Sequence, residues 1–295
     1  MTKHKDIATI SRTSEILKKY NFHLKKSFGQ NFLVDLNILT KIVTTAGVTE
    51  NSNVIEIGPG IGALTEQLAK RAKQVLAIEI DKKLIPILED TLANYENIRV
   101  VNEDALAVDL YQLIEETFDS KDDVILVANL PYYITTPLLF KFMTSDLPIK
   151  RYCVMIQKEV AERLCGEPGT KEYNALTITT QYYTKPHLAF VVPNTVFIPK
   201  PDVESAVLVL EKRREPAALV RDEEFFFQVV KGSFIQRRKT IYNNLKQALK
   251  GMVTPEDIIK GLEEVGIDPK VRGERLTIEE FANISNSLFN YIHKE

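Results

Sequence analysis

Three glycines fall within five residues of the stretch Glu56-Ile57-Gly58-Pro59-Gly60-Ile61-Gly62. Glycine tolerates positive φ and lets a ligand approach the backbone closely, so the stretch is a candidate nucleotide-type site. Spacing alone is weak evidence, because G-x-G-x-G is less specific than the G-x-G-x-x-G dinucleotide fingerprint. Two acids sharpen it. Glu56 precedes the first glycine by two positions, where an anion repels pyrophosphate and suits a cationic ligand. Glu79 lies 21 residues after Gly58, about where a carboxylate accepts ribose hydroxyls in βαβ nucleotide folds. A third acid, Asp104 in Asn102-Glu103-Asp104-Ala105, is placed to accept from an adenine amine. Singly, Glu56 or Asp104 would serve equally well as a helix cap or a lysine partner. Together, at successive strand ends, the three acids fit S-adenosylmethionine, whose sulfonium and ammonium are positive.

The second chemical feature is Asn129-Leu130-Pro131-Tyr132. The exocyclic amine of adenine is a poor nucleophile because its lone pair is delocalised into the ring. An Asn side-chain oxygen and a nearby main-chain carbonyl, each accepting one amine proton, draw that nitrogen towards a tetrahedral shape. Pro131 stiffens the backbone that presents the carbonyl. Tyr132 offers a ring for an extruded base to stack on, worth roughly 1–3 kcal/mol. Hydrogen bonds of about 1–2 kcal/mol supply about ten-fold in rate apiece, so positioning must supply most of the acceleration. No basic side chain is required, since the methylated amine sheds its proton afterwards.

These residues need a sheet to carry them. Residues 53–57, 74–80, 98–102 and 124–128 read as strands, with helices at 63–71 and 82–95 between them, which predicts βαβ units and a parallel sheet. A fifth strand is expected at 152–156 and a short helix at 158–164. Residues 174–183 fit a strand or a helix, and 188–192 and 205–210 read as strands. Residues 1–12 read as a loose polar tail, followed by helices at 14–20 and 36–46. Beyond Arg213-Arg214-Glu215-Pro216 only helical patterns remain, at 225–234, 239–250, 255–265 and 278–291. The expected organisation is an α/β catalytic domain over 1–213, with 1–26 as an N-terminal extension, and a small all-α domain over 214–295.

Composition narrows the class. The 295 residues are 44% hydrophobic and 26% charged, with two cysteines, four histidines and a net charge of −2. Disorder, a disulfide framework and a four-sulfur zinc site are excluded as descriptions of the chain, and no apolar run approaches a membrane span. The expectation is a metal-free protein of a reducing, cytoplasmic compartment. The mild acidity does not advertise a nucleic-acid binder, so such binding must come from local patches. Four basic runs stand out: Lys18-Lys19, Lys25-Lys26, Lys212-Arg213-Arg214 and Arg237-Arg238-Lys239. The last, beside Phe234 and Gln236, is the strongest candidate for phosphate contact.

Taken in order, these motifs resemble the small-subunit ribosomal RNA adenine N6-dimethyltransferases. The resemblance runs through Phe28-Gly29-Gln30-Asn31-Phe32-Leu33, the glycine stretch to Thr65, Glu79, Asp104-Ala105, residues 129–137, Gln157-Lys158-Glu159-Val160, residues 197–207 and residues 234–240. It implies a Rossmann-like class I methyltransferase sheet with helices on both faces, plus a helical C-terminal domain. It also implies S-adenosylmethionine contacts by Asn31, Leu33, Gly58, Glu79, Asp104 and Asn129, to which the residue reading adds Glu56 and Gly60. Phe197 is implied as a second aromatic wall for the target base, opposite Tyr132. Lys25 and Lys26 join Arg237, Arg238 and Lys239 as expected RNA contacts. The implied substrate is a pair of adjacent adenosines in the hairpin loop near the 3′ end of 16S rRNA, in a small-subunit precursor met by a monomeric enzyme. A loop base costs less to flip out than a paired one. Among rivals, an enzyme modifying one adenosine of large-subunit rRNA shares the glycine turn and the Asn-Leu-Pro-Tyr chemistry. An NAD-dependent oxidoreductase fits less well, because Glu56 opposes a pyrophosphate.

Overall fold

The structure is a computed structural model in which residues 6–22 and 30–292 are described. In chain order the first elements are α1 (Ile10–Lys19), β1 (Phe32–Leu33), α2 (Leu36–Thr45), β2 (Asn53–Ile57), α3 (Ala63–Ala69), β3 (Gln74–Ile78), α4 (Ile85–Thr91) and β4 (Ile98–Val101). Then come α5 (Leu110–Thr117), β5 (Val124–Asn129), α6 (Thr135–Met143), β6 (Ile149–Gln157), α7 (Lys158–Leu164), α8 (Ala175–Tyr183), β7 (Thr184–Val192), β8 (Phe197–Ile198) and β9 (Ser205–Lys212). Four further helices follow: α9 (Glu223–Ser233), α10 (Ile241–Ala248), α11 (Pro255–Glu264) and α12 (Ile278–Leu288).

The chain forms two compact units, residues 1–161 with 187–212, and residues 162–186 with 213–295. The first carries the sheet, in the order β4-β3-β2-β5-β6-β9-β7. Neighbours from β4 to β6 run parallel, and β9 lies antiparallel to β6. Val54, Ile55, Val75, Leu76, Leu126 and Val127 are fully buried. Such near-continuous apolar runs belong to strands covered on both faces. Chain order reverses at β2, which pairs with β3 on one side and β5 on the other. That reversal opens a crevice at the strands' carboxyl ends, where ligands of open α/β sheets bind.

In the second unit α9 to α12 and α8 enclose Ile178, Tyr182, Phe226, Leu245, Leu262 and Phe281. Side chains cap these helices at their starts: Asp222, Thr240, Thr254 and Thr277 each accept from a first-turn amide. The same device settles residues 174–183 as a helix. The Asn174 side chain accepts from Leu176 N and Thr177 N, while Thr177 Oγ1 accepts from Asn174 N, a reciprocal capping box. Residues 162–186 therefore group with the helices that begin at 223, whereas the change of texture along the chain predicts a single boundary at 213/214.

The start of the chain differs from the expected loose tail. Ile7 and Ala8 are buried, and α1 already begins at Ile10. Ile7 N donates to the buried Glu66 carboxylate on α3 at 2.9 Å, and Thr13 Oγ1 donates to Ile7 O at 3.1 Å. Glu66 also accepts from Tyr95 Oη at 3.1 Å. Helices α5 and α6 are further additions to the expected elements, although Asp109 caps the first of them.

Candidate active site

At the carboxyl end of β2 the chain turns through Gly58, Gly60 and Gly62, with φ of +70°, +60° and +92°. These are values that only glycine adopts without strain. Gly58 N donates to Ile78 O at 2.9 Å, carrying the β2–β3 pairing into the turn. A Cβ at Gly58 would meet no atom within 4 Å, so this backbone borders open space. One at Gly60 would lie 3.0 Å from the Phe32 ring, which packs over the turn.

That open space is a single cavity, and every catalytic and cofactor residue expected from sequence lines it. Asn31, Leu33, Glu56, Gly58, Gly60, Glu79, Asp104, Asn129, Pro131, Tyr132 and Phe197 all border it. They arrive from the carboxyl ends of β2, β3, β4 and β5 and from the β1–β8 ribbon, in which Leu33 lies opposite Phe197. Phe197 is 4% exposed, packed into the core with Phe32 and Leu33 while still bordering the cavity.

On the cavity's acidic wall Glu56 and Glu79 are buried, whereas Asp104 is exposed. Glu56 is 1% exposed, and burial pushes its carboxyl up to about 8, with the nearby Glu79 carboxylate acting in the same direction. The Thr65 hydroxyl acts in the opposite direction, while Thr65 Oγ1 and Glu56 Oε2 both lack a partner of hydrogen-bonding geometry. Glu79 is raised to about 7, again chiefly by burial, against the amides of Asp81, Gly60 and Ile80, which favour its ionised form. Asp81 N donates to Glu79 Oε1 at 2.8 Å and Gly60 N to Oε2 at 3.2 Å. Asn102 Nδ2 holds the Glu79 carbonyl at 2.7 Å. An unpartnered carboxylate oxygen beside a cavity is unfavourable until a donor or a cation meets it. The donor set therefore fits a cationic nucleoside such as S-adenosylmethionine. It does not fit a pyrophosphate. Among the described residues no cluster of His, Cys, Asp or Glu is arranged to hold a metal ion.

On the other side of β2, Asn129 ends β5, and its Nδ2 donates to Asn31 O at 3.3 Å. Leu130 N donates to Met155 O at 3.1 Å, which ties the turn to β6. The Pro131 carbonyl accepts from Ile134 N at 3.2 Å and Thr135 Oγ1 at 3.0 Å. The Tyr132 hydroxyl pairs with Ser205 Oγ on β9 at 2.8 Å, which holds its ring at the cavity. Ser205, Asn102 and Phe32 fall within the motifs, but their roles escape a sequence reading because they depend on pairing across the fold. Tyr133 is legible as a second aromatic in the motif; it is 53% exposed and lines the same cavity.

The expected RNA contacts divide. Lys25 and Lys26 lie outside the described residues. Arg237, in the second unit, is committed internally: Nε donates to Glu274 at 2.7 Å and Nη1 to Lys171 O at 2.8 Å. Arg238 and Lys239 are exposed, and their side chains have no partner among the described residues.

A doubly wound sheet with this strand order and a glycine turn at its reversal defines the class I methyltransferase fold. A dimethyladenosine transferase from Plasmodium falciparum shares that fold, with a TM-score of 0.74 at 24% identity over 88% of this chain and 98% of that one. The 23S rRNA methyltransferase ErmE superposes with a TM-score of 0.67 at 26% identity over 88% and 99%. The sequence profile of the family described as ribosomal RNA adenine dimethylase matches residues 21–290. Ribosomal RNA small subunit methyltransferase A of Geobacillus sp. (strain WCH70) is 57% identical over 97% of this chain and 98% of its own length. Its counterpart in Bacillus mycoides (strain KBAB4) is 55% identical over 98% and 99%. The chain belongs to the ribosomal RNA adenine dimethylase family, and it is an rRNA methyltransferase.

Proposed function

We propose that the protein uses S-adenosylmethionine to dimethylate N6 of two adjacent adenosines in the hairpin loop near the 3′ end of 16S rRNA. The reaction takes place in the cytoplasm, on a small-subunit precursor, and the protein acts as a monomer. The observation that carries this reading is the meeting of an acidic wall and the 129–132 turn around one cavity. Small-subunit specificity draws on the likeness to the Geobacillus relative, and 26% identity to ErmE favours the large subunit less.

The donor supplies an electrophilic methyl group on a positively charged sulfur. Glu56 lends negative charge to that end of the cavity, Glu79 takes the ribose hydroxyls and Asp104 the adenine amine. Gly58 and Gly60 let the donor lie against the backbone, while Asn31 and Leu33 cover it. Asn129 Oδ1 accepts one proton of the target amine. The Pro131 carbonyl is already engaged, so the second acceptor is the carbonyl of Leu130. Tyr132 stacks on the flipped base, with Phe197 on its far side. Arg238 and Lys239, with Lys25 and Lys26, neutralise RNA phosphates.

The test is mass spectrometry of rRNA from unmethylated ribosomal subunits incubated with the purified protein and labelled donor. Label on two adjacent small-subunit adenosines supports the reading. Label on a large-subunit adenosine supports the rival and overturns it.

A further inference from the structure

We propose that Lys141 is a positioning residue for methyl transfer, locking the turn that carries Asp104 in register with the turn that carries Asn129. Its Nζ donates to three main-chain carbonyls, those of Ala105 at 3.1 Å, Leu106 at 2.8 Å and Val108 at 3.2 Å. An ammonium has three donors, so this contact uses all of them. A helix-surface lysine ordinarily projects into water or pairs with a carboxylate. Lys141 instead tethers one short loop.

That loop is also closed from within. Ala107 N and Val108 N donate to the Asp104 carbonyl at 2.9 and 2.8 Å, and Leu106 N donates to Asp104 Oδ1 at 2.8 Å. Oδ1 is thereby occupied, and Oδ2 remains for a ligand in the cavity. Each carbonyl that Lys141 holds belongs to the peptide chain fixing that carboxylate. At its other end α6 grips the acceptor turn, through Thr135 on the Pro131 carbonyl. Six residues of helix, about 9 Å, separate the two grips. One rigid rod therefore sets the distance between the donor's nucleoside end and the turn that presents the target amine.

The inference rests on Asp104 holding the nucleoside end of the donor, and a double-mutant cycle keeps the two ideas separable. Affinity for S-adenosylhomocysteine is measured by calorimetry for the parent protein, K141M, D104A and the double variant, with melting temperature recorded for each. The expected result is a loss of about ten-fold for K141M in the parent background and no further loss in D104A. Equal losses in both backgrounds, or none in the parent, would overturn the role of Lys141. If D104A alone binds as the parent does, the Asp104 assignment fails and this inference falls with it. Should K141M prove poorly folded, K141R supplies the same cycle. It retains charge but changes donor geometry, and it is expected to lose less affinity than K141M. Hydrogen exchange adds a readout that general destabilisation would not localise: faster exchange at Leu106–Val108 amides, with α3 amides unchanged, supports the tether.

Discussion

Asn129 and Asn31, ninety-eight residues apart, are joined by a hydrogen bond from the Asn129 side-chain nitrogen to the Asn31 carbonyl at 3.3 Å. The bond decides which way the amide faces. With Nδ2 committed to the covering strand, Oδ1 is turned to accept from a base in the cavity. It also couples the segment that covers the donor to the residue that meets the target.

Replacing Asn129 by Ala removes an acceptor for the target amine but leaves the acidic wall intact. Turnover is expected to fall on the order of a hundred-fold, from lost hydrogen bonding together with lost positioning. Donor affinity should change only modestly. Single-turnover kinetics at saturating donor separate the two, and an unchanged rate would remove Asn129 from the chemistry.

Glu79→Ala tests the other wall. Glu79 is held by the amides of Asp81 and Gly60, so its loss also frees the glycine turn. Calorimetry should register donor binding weaker by about 1–3 kcal/mol, the range of a hydrogen bond to a charged group. Parent-like affinity would refute the assignment.

The raised carboxyls make binding depend on pH. Glu56 titrates near 8 and Glu79 near 7, both above the ordinary 4.5. A cationic donor favours the ionised forms, so affinity should rise with pH through about 7 to 8 and level off above. Each coupled proton contributes up to about ten-fold per pH unit. Stability of the ligand-free protein runs the opposite way. Between 4.5 and 8 the folded state binds more protons than the unfolded chain, so stability falls as pH rises through that window. Titrations at about pH 6 to 9 in matched buffers check the first sign, and melting curves the second. A flat affinity profile contradicts it.

The basic run should behave unevenly. Arg238→Ala and Lys239→Ala are expected to lower RNA affinity and to reduce the salt slope by about 0.7–0.9 for each phosphate left without its cation. Arg237→Ala should instead lower melting temperature, because it opens the link to Glu274 and the Lys171 carbonyl. Binding measured across a salt series distinguishes the three variants.

What sequence can disclose follows from how local each signal is. Glu56, Glu79, Asp104 and Asn129 are legible because each lies at or within three residues of the carboxyl end of a short strand, and strand ends of a parallel sheet converge on one edge. The insertion of β9 between β6 and β7 is not legible, since pairing partners are set by distant residues. The short β1–β8 ribbon is hidden for the same reason, and with it the covered position of Phe197. Helix α6 escapes notice because Thr135, Thr136 and Pro137 open it and mask its period. The helical state of residues 174–183 depends on a capping box and on burial against α9, neither of which periodicity records.

The bond from Ile7 N to Glu66 has a practical bearing on shortened versions of the chain. Deleting residues through Ile7 would take the main-chain donor from a buried carboxylate on the helix that springs from the glycine turn, with Tyr95 still holding it, and would loosen the turn's backing. A clipped protein that no longer takes up its methyl donor would then be reporting a slackened scaffold, and blaming a missing RNA handle would misread the result.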